Sequence, residues 1–173
     1  MLSSREFIKL LSNEDYEYDL HEHKALFTVE DSYKLRGKIK GSHSKNLFLK
    51  NKKNKFFLIS CEEFTEINLK QISKSLALGN VSFAKEEYLI NCLGIKPGSV
   101  SPFALLNNTD NKIDFYLEDK LYNSDYVNFH PLINTKTITM KSDDFIEFMI
   151  ENNKKIHIFS SKEGIVVKTY EQQ

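Results

Sequence analysis

Apolar residues fall on one helical face at Phe7, Ile8, Leu10 and Leu11, and Ser3 precedes Glu6 by three positions, the spacing of a reciprocal N-terminal cap. A helix is therefore predicted over 4 to 12. Alternation takes over at Tyr16, Tyr18 and Leu20, the pattern of a half-buried strand leading to His21 and His23. Thr28 with Asp31 repeats the cap spacing and opens a short helix that Gly37 can end in a left-handed conformation. Apolar and aromatic runs at 45 to 50 and 55 to 60, separated by Asn51-Lys52-Lys53-Asn54, predict a β-hairpin. Asn68 can cap a helix with Ile72, Leu76 and Leu78 on one face and Gly79 as its stop. A short strand follows at 81 to 84, then a helix over 85 to 93 closed by Gly94.

Residues 95 to 107 read IKPGSVSPFALLN, where Pro97, Gly98 and Pro102 exclude regular structure before Pro102. Gly98 lets a backbone approach a ligand closely while the prolines stiffen both flanks. Strand alternation returns at Ile113, Phe115 and Leu117, and two further strands at 126 to 129 and 137 to 140 enclose the segment from Asn128 to Thr135. Within it His130 precedes Pro131, which pushes the histidine towards an extended conformation. Ser142, with Asp143 and Asp144 in the first turn, is expected to cap a helix bearing Phe145, Ile146 and Met149. Strand-like segments at 157 to 159 and 165 to 167 are expected to pair at a sheet edge. No repeat or linker divides the chain, so the expectation is one α+β domain over 1 to 173.

Charge sharpens this outline. The formal net charge is +0, yet residues 34 to 55 hold nine of the 24 Lys and Arg and no Asp or Glu. An anion is the natural partner of such a stretch. Lys45-Asn46 lies at its centre, backed by Leu47-Phe48-Leu49; the residues from Lys50 to Lys55 read equally well as a solvated turn. Cys61 and Cys92 have no C-x-x-C spacing, which indicates neither a disulfide framework nor structural zinc, and His21 and His23 lack further ligands. No metal or cofactor is expected. No apolar run approaches the roughly 20 residues of a membrane span, so no membrane partner and a cytoplasmic location are expected.

Most hydrolytic signatures are missing: there is no G-x-S-x-G, H-E-x-x-H, P-loop or G-x-G-x-x-G. Ser99 and Ser101 would need a base, and neither His130 nor His43 has a recognisable orienting acid in the sequence.

Four segments in order, HEHKALFTVEDSYKLRG (21 to 37), GSHSKNLFLKNKK (41 to 53), LGIKPGSVSPFALLN (93 to 107) and NFHPLINTKTITM (128 to 140), resemble the YbaK and prolyl-tRNA-synthetase-associated editing domains. The similarity is greatest to the free-standing Ala-tRNA(Pro) deacylases and runs from about residue 4 to about 150, leaving 153 to 173 as a C-terminal extension. The resemblance implies a mixed central sheet or partial barrel with flanking helices, and hydrolysis of the ester between alanine and the 3′ end of a mischarged proline tRNA. It implies that Lys45 and Asn46 contact the terminal adenosine and its phosphate. Gly98, Ser99, Val100, Ser101 and Pro102 would shape the site and offer backbone groups to the ester and the attacking water. His130 would stand beside the aminoacyl pocket, with His23 and Thr28 flanking the cleft. Lys45, Gly98, Ser99 and His130 are the expected catalytic set; His23, Thr28, Asn46, Val100, Ser101 and Pro102 are the expected substrate-binding set. Partners would be the tRNA acceptor end and a prolyl-tRNA synthetase or elongation factor. Two departures stand out: Ser44 replaces an expected Thr, and Lys24-Ala25 replaces a segment that commonly contains proline. Other readings are a deacylase of Cys-, Ser- or Thr-charged tRNA, or a non-catalytic tRNA- or synthetase-binding module.

Overall fold

The structure is a computed structural model covering residues 1–173, and it describes all of them except Phe27, Thr28, Gly37 and Lys38, together with the side chains of Val29, Ser32, Leu35 and Arg36. Helix α1 (Ser4–Ser12) carries the full capping box: Ser3 Oγ accepts from Glu6 N, and the Glu6 carboxylate accepts from Ser3 N. Strand β1 (Tyr18–Glu22) and helix α2 (Val29–Arg36) follow. The expected cap Thr28 and stop Gly37 lie outside the described residues.

The hairpin is β2 (Ser42–Asn51) and β3 (Phe56–Glu62). Asn51 Oδ1 closes its turn by accepting from the N–H groups of Lys53 and Lys55, each at 2.9 Å. Helix α3 (Leu69–Ser75) is capped by Asn68 as expected, but it stops earlier than Gly79. Ala77 adopts φ 53 and Leu78 N donates to the Ser73 carbonyl, so the chain reverses before the glycine. Strand β4 (Val81–Phe83) leads to α4 (Glu86–Tyr88), which widens into a π turn over Leu89–Leu93 and closes on Gly94 at φ 65.

After the proline loop a 3₁₀ helix, Pro102–Asn107, begins at the proline. Strand β5 (Ile113–Glu118), the short helix α5 (Asp119–Tyr122), β6 (Tyr126–Phe129), β7 (Lys136–Lys141), α6 (Ser142–Glu151), β8 (Ile156–Ser160) and β9 (Ile165–Tyr170) complete the chain. Ser142 is a correction to the expected cap. It lies inside α6, and its buried hydroxyl donates to the Leu121 carbonyl at 2.7 Å.

The strands form one open mixed sheet in the order β1-β7-β6-β2-β3-β5-β8-β9, with β4 also on β2. Strand β2 joins its two halves. Ser42 and His43 run parallel to Val127 and Asn128 of β6, whereas Ser44 to Lys50 run antiparallel to β3. Gly41 makes the first of these pairings possible: it sits at φ 88, and a Cβ there would lie 2.7 Å from the Tyr126 backbone oxygen. Residues 153 to 173 extend the same sheet through β8 and β9.

One sheet face buries Phe48, Leu58, Phe115, Val127, Phe129, Ile138 and Met140 beneath α1, α6 and the 3₁₀ helix. Phe103 is the hub of that core, with ring centroids 4.7 Å from Phe7, 5.8 Å from both Phe129 and Phe145, and 6.0 Å from Phe148. A smaller core of Leu49, Phe57, Ile59, Cys61 and Tyr116 lies under Ile72 of α3 and Leu76 just after it.

Candidate active site

Alternation along β2 assigns its residues to the two faces. Phe48 belongs to the large core and Leu49 to the small one, so Ser44 and Asn46 point with Phe48, and His43, Lys45 and Leu47 with Leu49. The same alternation in β6 and β7 turns Val127, Phe129, Ile138 and Met140 into the large core and leaves Asn128, Thr137 and Thr139 on the opposite face. Because His43 lies beside Asn128 in register, one polar surface runs from β7 across β6 to the start of β2. His43 and Lys45 stand on it, where the apolar row Leu49-Leu47 gives way to charge.

This surface is tightly hydrogen-bonded. Buried Asn128 donates through Nδ2 to the carbonyls of Lys40 (2.9 Å) and Ser42 (3.2 Å) and accepts from Thr139 Oγ1 at 2.5 Å. Ser44 Oγ donates to the Asn128 carbonyl at 2.9 Å. These bonds fix the start of β2 against β6. Neither Asn128 nor Thr139 stood out in the sequence, although alternation through 128–140 marks both as opposite to the core.

Two histidines meet here, His23 and His130, with ring centroids 6.0 Å apart. His23 Nδ1 lies 2.7 Å from the Lys24 carbonyl and Nε2 lies 2.8 Å from Thr137 Oγ1. A carbonyl only accepts, so in the neutral ring Nδ1 carries the proton and Nε2 accepts from the threonine hydroxyl. His130 Nδ1 likewise donates to the Lys136 carbonyl at 2.7 Å. Its Nε2 then bears the lone pair. Burial pulls the His130 pKa below its ordinary value of 6.5; the carbonyl bond opposes this, and His23 and His43 push it further down. His130 is thus a neutral acceptor at physiological pH.

Lys45 Nζ donates to the Thr65 carbonyl, which occupies one of its three donors. Asn46, on the other face, accepts from buried Ser60 Oγ at 2.5 Å and donates to Ser44 Oγ at 3.2 Å. Adjacent in sequence, the two side chains leave the strand in opposite directions.

The 98–102 turn is anchored in the large core through Ile95, Phe103 and partly Val100. Among the described residues no hydrogen bond or ion pair joins it to Lys45. Its donors are fewer than expected. Ser99 N is spent on the Lys96 carbonyl at 3.1 Å, and the buried Ser101 hydroxyl accepts from Phe103 N at 3.3 Å, capping the 3₁₀ helix. Pro102 is buried and starts that helix. Gly98, exposed at φ 85, and half-buried Val100 keep backbone N–H groups that have no partner among the described residues. Thr28 lies outside the described residues.

Of the basic stretch, Lys55 pairs with Asp114 at 2.7 Å, Lys50 lies over the Tyr88 ring, and Lys40 lies over Tyr126 and 3.5 Å from Asp19. Lys52 and Lys53 project from the hairpin tip as solvated charge. Burial, assisted by the Glu118 carboxylate, pushes the Cys61 thiol up to about 12, which removes it as a nucleophile. No group of three or more His, Cys, Asp or Glu among the described residues could hold a metal, and no described helix is long and apolar enough to cross a membrane.

Comparison with known proteins matches this same span. Residues 23–148 fit the aminoacyl-tRNA editing domain family. The chain is 35% identical over 133 residues to the prolyl-tRNA synthetase associated domain-containing protein 1 of Bos taurus, covering 74% of this chain and 77% of that one. It is 28% identical over 137 residues to the prolyl-tRNA editing protein ProX of Acetoanaerobium sticklandii, covering 79% and 83%. A solved structure described as a proposed trans-editing enzyme for prolyl tRNA synthetase shares the fold, with a TM-score of 0.64 at 16% identity over 90% of this chain and 96% of that one. The matched span begins at His23 and takes in β2, the 98–102 turn and His130, and the chain belongs to the aminoacyl-tRNA editing domain family.

Proposed function

We propose that this protein is a trans-acting deacylase that removes alanine from mischarged Ala-tRNA(Pro), using a positioned water instead of a nucleophilic side chain. The observation that supports the reading is the neutral, acceptor-bearing His130 beside His23, with Lys45 on the same face of the sheet by strand alternation. An aminoacyl ester beside a free ribose hydroxyl is already labile, so holding a water and polarising the carbonyl suffices. In this reading the two free donors of Lys45 take the terminal phosphate and ribose. The Nε2 lone pair of His130 accepts a proton of the attacking water and returns it to the departing 3′ oxygen. The leaving group is the 3′ hydroxyl of the tRNA, and the product acid is alanine.

Proline is rejected if the acyl pocket is too small for its ring. Serine differs from alanine by one hydroxyl, which small pockets discriminate by only about 1–3 kcal/mol, so slower hydrolysis of Ser-tRNA is expected. The test is a deacylation panel of Ala-, Ser-, Cys-, Thr- and Pro-charged tRNAs with wild type and Lys45→Ala. Ala-tRNA(Pro) should turn over fastest, and Lys45→Ala should lower kcat/KM about tenfold or more. Inactivity of wild type on every charge, or an unimpaired Lys45→Ala, refutes the proposal.

A further inference from the structure

One buried acid has no part in that reaction. Glu118 ends β5 with a side chain that is 0% exposed, and a carboxylate withdrawn from water costs several kcal/mol unless its oxygens are satisfied. They are. Glu62 N donates to it at 2.7 Å, Thr65 Oγ1 lies 2.8 and 3.0 Å from its two oxygens, and Lys120 Nζ lies 3.8 Å away. Because Lys120 Nζ also donates to Thr65 Oγ1 at 3.1 Å, the hydroxyl's own proton goes to Glu118.

Glu62 and Thr65 are the two ends of one turn, closed by Thr65 N donating to the Glu62 carbonyl at 3.0 Å and by Phe64 N donating to the Glu62 side chain at 3.0 Å. Glu118 therefore clamps both ends. The turn in its stead holds β2: Glu63 N donates to the His43 carbonyl at 3.0 Å, and the Thr65 carbonyl accepts from Lys45 Nζ. Three links thus connect a buried carboxylate on β5 to the amine on β2.

We propose that Glu118 is a positioning residue for Lys45, acting through Thr65; this rests on the reading of Lys45 as the lysine that holds the tRNA end. A lysine side chain loses much rotamer freedom when its amine is fixed. A carbonyl held rigidly at the right place confines the amine before substrate arrives, whereas a loose one leaves that ordering to the binding step.

The test is a double-mutant cycle on Ala-tRNA(Pro) deacylation. Glu118→Gln weakens the clamp while keeping the side chain's shape; Thr65→Val removes the hydroxyl but keeps the carbonyl and volume, and carries the test if Glu118→Gln fails to fold. Each is measured alone and with Lys45→Ala, alongside its melting temperature. With Lys45 present, each single change should raise KM more than it lowers kcat, costing about fivefold to tenfold in kcat/KM. With Lys45→Ala present, the same change should cost less than twofold. Equal losses in both backgrounds assign Glu118 to stability alone and overturn the proposal, as does a fully active Glu118→Gln or Thr65→Val. If Lys45→Ala itself is unimpaired, the functional reading fails and this inference with it. If Lys45→Ala is impaired and the clamp variants are not, only this inference fails.

Discussion

Phe103→Ala tests whether the loop of the candidate site is held by the core. The ring is 0% exposed and meets Phe7, Phe129, Phe145 and Phe148, none more than 2% exposed. Buried Phe→Ala changes cost about 3–5 kcal/mol, and the cost rises with the cavity left behind. Four rings on three elements, α1, β6 and α6, cannot all collapse into one void, so the expected loss is about 4 kcal/mol. A fold of this size has about 5–15 kcal/mol in total, so the variant should fold but be fragile. At about 2–4 °C per kcal/mol, its melting temperature should fall by about 8–16 °C. Urea unfolding followed by circular dichroism should give a lower midpoint with an unchanged slope. A loss below about 1.5 kcal/mol would refute the packing argument, because it would place the ring in a site that relaxes freely.

Asn128→Asp should lose about 3 kcal/mol at pH 7, because a carboxylate oxygen would replace the amide that donates to the Lys40 and Ser42 carbonyls. That Asp would have a folded pKa above its unfolded one, so its deficit should shrink as pH falls towards 4.5; equal urea midpoints for the variant and wild type at pH 7 would sink the assignment. For His130 the sign is opposite to a paired histidine. Burial lowers its folded pKa below 6.5, so the unfolded chain takes up the proton first, and its contribution is complete above 6.5 and lost as pH falls through the folded value. The acid limb of kcat/KM should therefore have its midpoint below 6.5, and His130→Gln should flatten it; a limb that survives His130→Gln assigns it to another group.

Local elements were legible because their causes are local. The capping box at Ser3 and Glu6, the Asn51 turn and the Gly94 stop each depend on residues within a few positions, and all appear as expected. Ser142 shows where such signals fail: its composition is that of a cap, but a carbonyl 21 residues upstream takes its hydroxyl. Helix α5 was missed because Asp119–Tyr122 is too short to show a period.

The order of the segments around Lys45, Gly98 and His130 was enough to point to the family, since it is a property of the chain itself. Which face each side chain takes was decided only by register. The pairing of His43 with Asn128 puts Lys45 on the polar surface and Asn46 on the other side of the same strand. Glu118 and Thr65 acquire meaning only because parallel pairing of β3 with β5 brings positions 53 apart within hydrogen-bonding distance. A sequence specifies which groups are available; burial and long-range pairing select which of them remain free to meet a substrate.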